Sequence, residues 1–168
     1  MPVPRLLAVT LLASLAFTPA GAKPPSAPLT AIGATAMTQH ARGPFDVKLV
    51  PQDEDAGPGS TLGRLSLDKV FHGDLDATGK GQMLTAGTDT PGSAVYVAIE
   101  RVTGTLHGKA GSFALVHKGL MRGADRQLTV EIVPDSGTGA LKGISGSLAI
   151  EITGGKHLYD LTYTLPAQ

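Results

Sequence analysis

Hydrophobic side chains recur at every second residue through most of the chain beyond residue 44. Phe45, Val47 and Leu49 begin the pattern, and His157–Leu165 carries it close to the C-terminus. A period of two is typical of a β-strand that turns one face towards a core. No apolar stripe with the helical spacing i, i+3, i+4, i+7 persists along the chain. We therefore predict no long helix in the mature domain.

The segments with this alternation are separated by turns rich in glycine, proline and aspartate. The predicted strands are Phe45–Val50, Leu62–Phe71, Asp76–Thr88, Ser93–His107, Ser112–Met121, Gln127–Val133, Gly146–Thr153 and Lys156–Leu165. The acidic stretch Pro51–Ser60 is predicted to be a solvated loop. The fourth strand is apolar in both phases, which indicates either burial on both faces of the sheet or a partner subunit outside.

Short connections between successive strands favour an up-and-down antiparallel sheet. Closing such a sheet into a barrel removes its exposed edges. We therefore predict an all-β fold, a closed eight-stranded antiparallel barrel, with a two-sheet sandwich as the alternative. A barrel of about eight strands either fills its interior with side chains or holds one small ligand there.

The first residues have the features of a secretory signal peptide. Arg5 precedes the apolar run Leu6–Phe17, and the segment Met1–Ala22 ends in a small-residue cleavage site. The run is shorter than the ~20 residues of a membrane-spanning helix. We predict cleavage after residue 22, a flexible Pro-, Ala- and Thr-rich linker over 23–40, and a single barrel domain over 41–166. The chain is then a bacterial protein of the periplasm or the exterior, without a membrane anchor after cleavage.

Composition narrows the classes of function. Lys plus Arg and Asp plus Glu number 14 each, so no charge bias suggests nucleic acid or an acidic membrane surface. Cysteine is absent, which excludes disulfides, thiolate metal sites and a cysteine nucleophile. The histidines lack the close H-x-H spacing of a metal site on one strand. We predict neither a metal nor a cofactor. No motif decides whether the protein is an enzyme, and we favour a non-catalytic or weakly catalytic protein.

Glu100 is the first candidate site residue. It shares a face of the fourth strand with Tyr96 and with small neighbours that would leave room for a ligand inside a barrel. A carboxylate in that position is expected to have a raised pKa and to act as an acid, a base or an anchor. Alternatively, Glu100 faces solvent or pairs with a cation such as Lys118 or Lys69.

Two pairs of adjacent opposite charges, Asp68–Lys69 and Glu100–Arg101, indicate a partly polar interior or interface. Successive residues of a strand point to opposite faces, so one member of each pair must face inward or towards another subunit. A buried charge requires a partner. Our hypothesis is a cross-strand pair of Asp68 or Glu100 with Lys118 or Arg101.

Tyr159 and Tyr163 are the remaining candidates. They share one phase of the last strand with His157, so their hydroxyl groups could line a pocket and donate to a ligand oxygen. The alternative is ordinary packing with the hydroxyl groups at the rim of the barrel.

Over Arg42–Pro166 the sequence resembles the bacterial domain-of-unknown-function family 3224. The matching stretches are FDVKL, LSLDKVFHGDL, GKGQMLTAG, GSAVYVAIERVTGTLHGKAGSFALVH, LTVEIVPDSGTGALKGISGSLAIEI and GKHLYDLTYTLP. The resemblance implies an eight-stranded barrel of the allene oxide cyclase-like type. The segment SGTGALKGISGSL is also similar to a Gly-rich hairpin of allene oxide cyclases and, more distantly, of dirigent proteins. It implies little about function, because one barrel fold hosts many activities.

The expected function is binding of a small, mostly apolar ligand in the lumen, with Tyr96, Glu100, Tyr159 and Tyr163 as lining residues. One alternative is an isomerase or cyclase acting on a small apolar substrate, by analogy with allene oxide cyclase. The other is an oligomeric interaction module with a filled barrel, because the doubly apolar fourth strand predicts self-association. An open apolar cavity favours the first two, whereas a plugged barrel favours the third.

Overall fold

A computed structural model describes residues 37–166. Its strands form one closed ring in which each strand pairs antiparallel with the next and the last returns to the first. The strands are β1 Gln39–Gly57, β2 Ser60–Phe71, β3 Leu75–Thr88, β4 Ser93–Leu106, β5 Lys109–Arg122, β6 Asp125–Ile132, β7 Ser145–Thr153 and β8 Lys156–Thr164. Within the described residues a single 3₁₀ turn, Gly139–Leu141, is the only helical element.

This architecture confirms the predicted all-β closed barrel. The predicted leader 1–22 and most of the predicted linker lie outside the described residues. β1 begins at Gln39, two residues before the predicted start of the domain. No helix in the described part of the chain is long and apolar enough to cross a membrane.

The predicted loop Pro51–Ser60 is wrong, because β1 continues through it to Gly57 and β2 starts at Ser60. The pairing of β1 with β2 shifts at a bulge between Pro51 and Asp53. A bulge on an edge tolerates a proline that has no N–H to donate. β1 is such an edge here, since its pairing with β8 ends at Phe45.

The ring is narrowly closed between β6 and β7. Those strands share one paired position, Glu131 with Ser147. Nearer the start of β5, the segment that follows β6 forms hydrogen bonds with the free edge of β5. Val133 N–H donates to Ala114 C=O at 2.9 Å, and Thr138 N–H donates to Ser112 C=O at 2.8 Å. An irregular segment therefore replaces the missing length of a strand.

The interior is filled in one half and open in the other. We call the end that holds the β1–β2, β3–β4, β5–β6 and β7–β8 turns the upper end. The lower half is packed with buried apolar and aromatic side chains, which include Phe45, Phe71, Leu75, Leu106, Phe113, Leu115, Leu141, Ile144, Tyr159, Leu161 and Tyr163. Towards the upper end the inward-facing residues Leu65, Met83, Thr85, Tyr96 and Met121 are half-buried. We call the surface marked by these five residues the upper trough.

The outer surface of β2–β5 carries a second set of apolar side chains. Their exposed fractions lie between 36% and 62%. We call this set the outer apolar face; its members are Leu62, Leu84, Val97, Ile99, Val116 and Leu120. Val97 and Ile99 belong to the apolar outer phase of β4 that the sequence analysis singled out.

A buried ion cluster below an open trough

Three ionisable side chains meet inside the barrel. Glu100 Oε1 accepts hydrogen bonds from Lys69 Nζ at 2.8 Å and from His117 Nε2 at 3.1 Å. All three side chains are buried, and Glu100 is only 1% exposed. We call Lys69, Glu100 and His117 the buried ion cluster. β2, β4 and β5 each supply one member from the phase that faces the core.

Glu100 is ionised in this setting, contrary to the raised pKa expected from the sequence. Burial by itself raises the pKa of the Glu100 carboxyl. The hydrogen bond from His117 and the positive charge of Lys69 outweigh burial, so the pKa is lowered below its ordinary value. Lys69 is also held by aromatic rings, since its ammonium lies 5.1 Å from the ring centre of Phe45 and 5.6 Å from that of Phe71.

The second carboxylate oxygen of Glu100 has no partner. Oε2 is buried and makes no hydrogen bond with any residue of the range 37–166. It lies against the backbone of β3, where a Cβ on Gly79 would be only 2.9 Å away. Gly79 therefore gives the carboxylate its space, and a side chain at this position would displace it.

Register places His117 level with the lowest residues of the upper trough, and Glu100 and Lys69 below them. Leu65, Met83, Ala98 and His117 are paired across β2–β5 in one row. Glu100 belongs to the next row down, which is about 7 Å away along the strands. The residue of β3 that is paired with Glu100 in that row is Gly81, which has no side chain.

A cavity of about 320 Å³ adjoins the upper trough between the upper parts of β1, β2 and β3, and Leu65 and Thr85 are the trough residues that line it. Leu65, Thr85, Gly63, Thr61 and Pro51 contribute to its lining. The lining is mostly apolar, and its charged residues, Asp53, Glu54 and Arg64, come from the same strands. Arg64 and Asp53 form an ion pair with each other.

The sequence-predicted residues occupy different parts of the barrel. Tyr96 lies in the upper trough, with its ring against the backbone of Gly119, and burial raises the pKa of its hydroxyl. Glu100 lies in the row between the trough and the lower core. The structure therefore brings Tyr96 and Glu100 onto one inner face of β4.

Tyr159 and Tyr163 lie in the filled lower half, where their hydroxyl groups are already bonded. Tyr159 Oη donates to His72 C=O and accepts from Leu75 N–H, both at 2.9 Å. Tyr163 Oη contacts His107 Nδ1 at 2.8 Å and donates to the Gln39 side chain at 3.0 Å. Burial is the main cause that raises the pKa of both phenols.

The hypothesised partners of the charged residues are corrected. Glu100 pairs with Lys69, the alternative partner named in the sequence analysis, rather than with Lys118 or Arg101, and Asp68 pairs with Lys80 at 3.5 Å on the outer surface. The argument that one member of each adjacent pair must face inward holds, because Lys69 and Glu100 are both buried.

His117 is the member of the cluster that the sequence analysis did not select. The signal was present, since His117 shares a phase with Phe113 and Leu115 on a strand whose other residues in that phase are apolar. No group of three or more His, Asp or Glu side chains within the described chain is arranged to hold a metal ion.

The fold and this interior define a closed β-barrel with a buried ion cluster beneath a half-open lumen. The model of the family described as "Protein of unknown function (DUF3224)" matches residues 41–163, and the chain belongs to this family. The crystal structure of a DUF3224 protein of unknown function from Shewanella oneidensis MR-1 is similar. It has 45% sequence identity and a TM-score of 0.72, and the match covers 79% of this chain and 100% of that one. None of the curated proteins matches the chain.

Proposed function

We propose that the upper trough binds one small, mostly apolar molecule, in a protein that its first residues predict to be exported. The observation that carries this proposal is the unfilled upper half of the lumen. Folding buries the inner face of the lower half, yet it leaves Leu65, Met83 and Tyr96 only partly buried, and a cavity of about 320 Å³ lies beside Leu65 and Thr85. Ligand sites are commonly concave, mostly apolar and of this size.

Binding is favoured over acid–base catalysis by the state of Glu100. Proton transfer at neutral pH is best served by a group whose pKa lies near the working pH. The pKa of Glu100 is instead lowered, because His117 and Lys69 together outweigh its burial. An ionised carboxylate that already accepts two hydrogen bonds is a weak base and a good fixed anchor.

The test uses 2-methoxynaphthalene, an apolar probe without a hydrogen-bond donor, and two neighbouring residues of β3. Thr85 faces the cavity and Leu84 faces outward. We expect Thr85→Arg to weaken binding about tenfold or more, because a charged side chain would occupy the apolar space. Leu84→Arg should bind as the parent does.

Probe fluorescence titrated with protein gives the dissociation constants, and circular dichroism checks that both variants fold. Equal binding by the parent and Thr85→Arg would contradict the proposal. Loss of binding in Leu84→Arg alone would place the probe on the outer apolar face instead.

A second candidate function is self-association through the outer apolar face. Four strands about 4.8 Å apart and three rows about 6.8 Å apart cover about 400 Å² of this surface. That area is about half of what each partner buries in a standard interface. A polar rim that includes Lys80 and Arg101, which are paired in the next row down, would supply the remainder. We therefore propose a weak homo-oligomer in which this face meets a second copy.

A further inference from the structure

The bulge in β1 turns one carboxylate into the cavity beside the upper trough. Up to Pro51, the odd-numbered residues of β1 face inward. Beyond the bulge, Glu54 is paired with Gly63, and Gly63 is paired with Thr85, whose side chain faces the cavity. Residues paired directly across antiparallel strands point to the same face of the sheet. The bulge therefore brings an even-numbered residue, Glu54, onto the inner face, where it lines the cavity.

Glu54 is the charged residue of this lining that has no opposite charge beside it. The other two charged residues of the lining, Asp53 and Arg64, form an ion pair with each other. The ion pairs formed within residues 37–166 do not include Glu54. A lining with one unpaired carboxylate attracts a cation and repels an anion.

Two bare glycine positions leave space beside this carboxylate. Gly63 lies between Glu54 and Thr85 in one row, and the outer two strands of that row are about 10 Å apart. A Cβ on Gly63 would lie 2.7 Å from Thr85 Oγ1, so this hydroxyl leans over the bare position. In the next row towards the upper end, a Cβ on Gly87 would meet no atom within 4 Å. Glu54 and the Thr85 hydroxyl therefore flank an open slot.

An ammonium group fits the polar atoms of this slot. It carries a positive charge and three hydrogen-bond donors, and both a carboxylate and a hydroxyl oxygen accept such bonds. A carboxylate or phosphate ligand would be repelled by Glu54, and a ketone or an ether would give it no donor. The rest of the lining is mostly apolar and includes Leu65 and Pro51, which favours an apolar body for the ligand.

We propose that Glu54 is the counter-ion of the cavity and that the ligand is a small apolar amine, bound in its ammonium form. This proposal rests on the proposed ligand site, because the cavity must first accept an apolar molecule. The apolar body lies against Leu65, and the ammonium lies over Gly63. From there the ammonium donates to Glu54 and to Thr85 Oγ1.

The experiment compares 2-(aminomethyl)naphthalene with 2-methoxynaphthalene at pH 7 and low ionic strength, where screening is weak. The two probes share one naphthalene body and carry substituents of equal size, but only the amine is a cation. The quantity measured is the ratio of the amine's affinity to the ether's affinity. We expect Glu54→Gln to lower this ratio about fivefold, the effect of one exposed ion pair at the upper end of its usual range.

Asp55→Asn is the matched control. It removes the same charge from the next residue of β1, which is paired with the outward-facing Leu62 and does not line the cavity. Its ratio should stay within about twofold of the parent's. Probe fluorescence titrated with protein gives the affinities, and circular dichroism checks that both variants fold.

The outcomes separate the two proposals. If Glu54→Gln leaves the ratio at the parent's value, or if Asp55→Asn lowers it equally, the counter-ion is overturned while the cavity stands as a ligand site. The same holds if the parent binds the ether but not the amine. If neither probe binds the parent at millimolar concentration, both proposals fall.

Discussion

Lys69 is the residue whose charge balances the buried carboxylate of Glu100, so the stability of the barrel depends on it. Its ammonium contacts Glu100 at 2.8 Å and lies over two phenylalanine rings, in a position that is 5% exposed. A buried ion pair gains little over an apolar pair, but removing one partner is costly because the other charge stays buried. The cluster is therefore a point at which small chemical changes have large effects.

Replacing Lys69 by methionine should destabilise the protein by about 3 kcal/mol at pH 7, because Glu100 loses its main opposite charge. The loss should shrink in acid. The folded-state pKa of Glu100 lies below its unfolded value of about 4.3, so its stabilisation is present above that pH. This stabilisation is lost as the pH falls through the folded-state pKa of Glu100. Below that pKa, Glu100 carries a neutral carboxyl in both the parent and the variant.

Urea unfolding of both proteins at pH 7 and near pH 3 measures these differences. Lys80→Met is the matched control, since Lys80 pairs with Asp68 at 3.5 Å on the surface and is 82% exposed. Its effect should stay within about 0.5 kcal/mol. A loss for Lys69→Met that is equal at both pH values would argue against an ionised Glu100.

At the level of single residues, the sequence predicted the need for inward charges and gave Lys69 as one of several possible partners of Glu100 without deciding among them. Asp68 and Lys69 had to point to opposite faces, and so did Glu100 and Arg101. Which member of each pair faces inward depends on which phase of its strand faces the core. Lys69 shares its phase with Leu67 and Phe71, which the structure places in the core, whereas its contact with Glu100 crosses β3 and could not be derived from local pattern.

At the scale of elements, periodicity located all eight strands. One stretch, Pro51–Ser60, was wrongly predicted to be a loop because of its composition. The acidic stretch after Val50 contains proline and three consecutive acids, a composition typical of a loop. In the structure this stretch is the upper part of β1, which is paired with β2 on one side only. Charges, a proline and a bulge are what an exposed edge strand requires to avoid pairing with another chain. The same residues serve a loop or a guarded edge, so composition alone could not distinguish them.

The segment after β6 gives a prediction about how the sheet ends. Ser136 Oγ accepts a hydrogen bond from Ala114 N–H at 3.0 Å and donates to Val133 C=O at 2.6 Å. Ser136→Ala should therefore cost about 1–2 kcal/mol, because the Ala114 N–H on the edge of β5 loses its acceptor. Chemical denaturation at neutral pH measures the change.

Ser145→Ala is the control for Ser136→Ala. The Ser145 hydroxyl is exposed and contacts the Thr164 hydroxyl at 2.8 Å, so water can replace the contact and the expected change is within about 0.5 kcal/mol. Equal effects of the two substitutions would show that the segment after β6 does not support β5.

At the scale of the whole molecule, the barrel has two apolar surfaces that folding leaves uncovered. The upper trough lies inside, and the outer apolar face lies on the opposite side of the same strands. The double apolar phase of β4 explains both, since Tyr96 and Ala98 face the lumen while Val97 and Ile99 face outward. Pattern predicted that both faces needed cover. It did not predict that side chains would fill only the lower half of the lumen, because that depends on how the strands are staggered around the ring.

Self-association should follow from the outer apolar face. We expect the sedimentation coefficient of the parent to rise with protein concentration, because meeting a second copy removes apolar side chains from water. Ile99→Glu should abolish this rise by placing a charge in the centre of the face. Ile152→Glu is the matched control: Ile152 is 66% exposed against 62% for Ile99, but it belongs to β7, away from β2–β5. A parent that sediments as a monomer at every concentration, or an equal loss in both variants, would contradict an interface at this face.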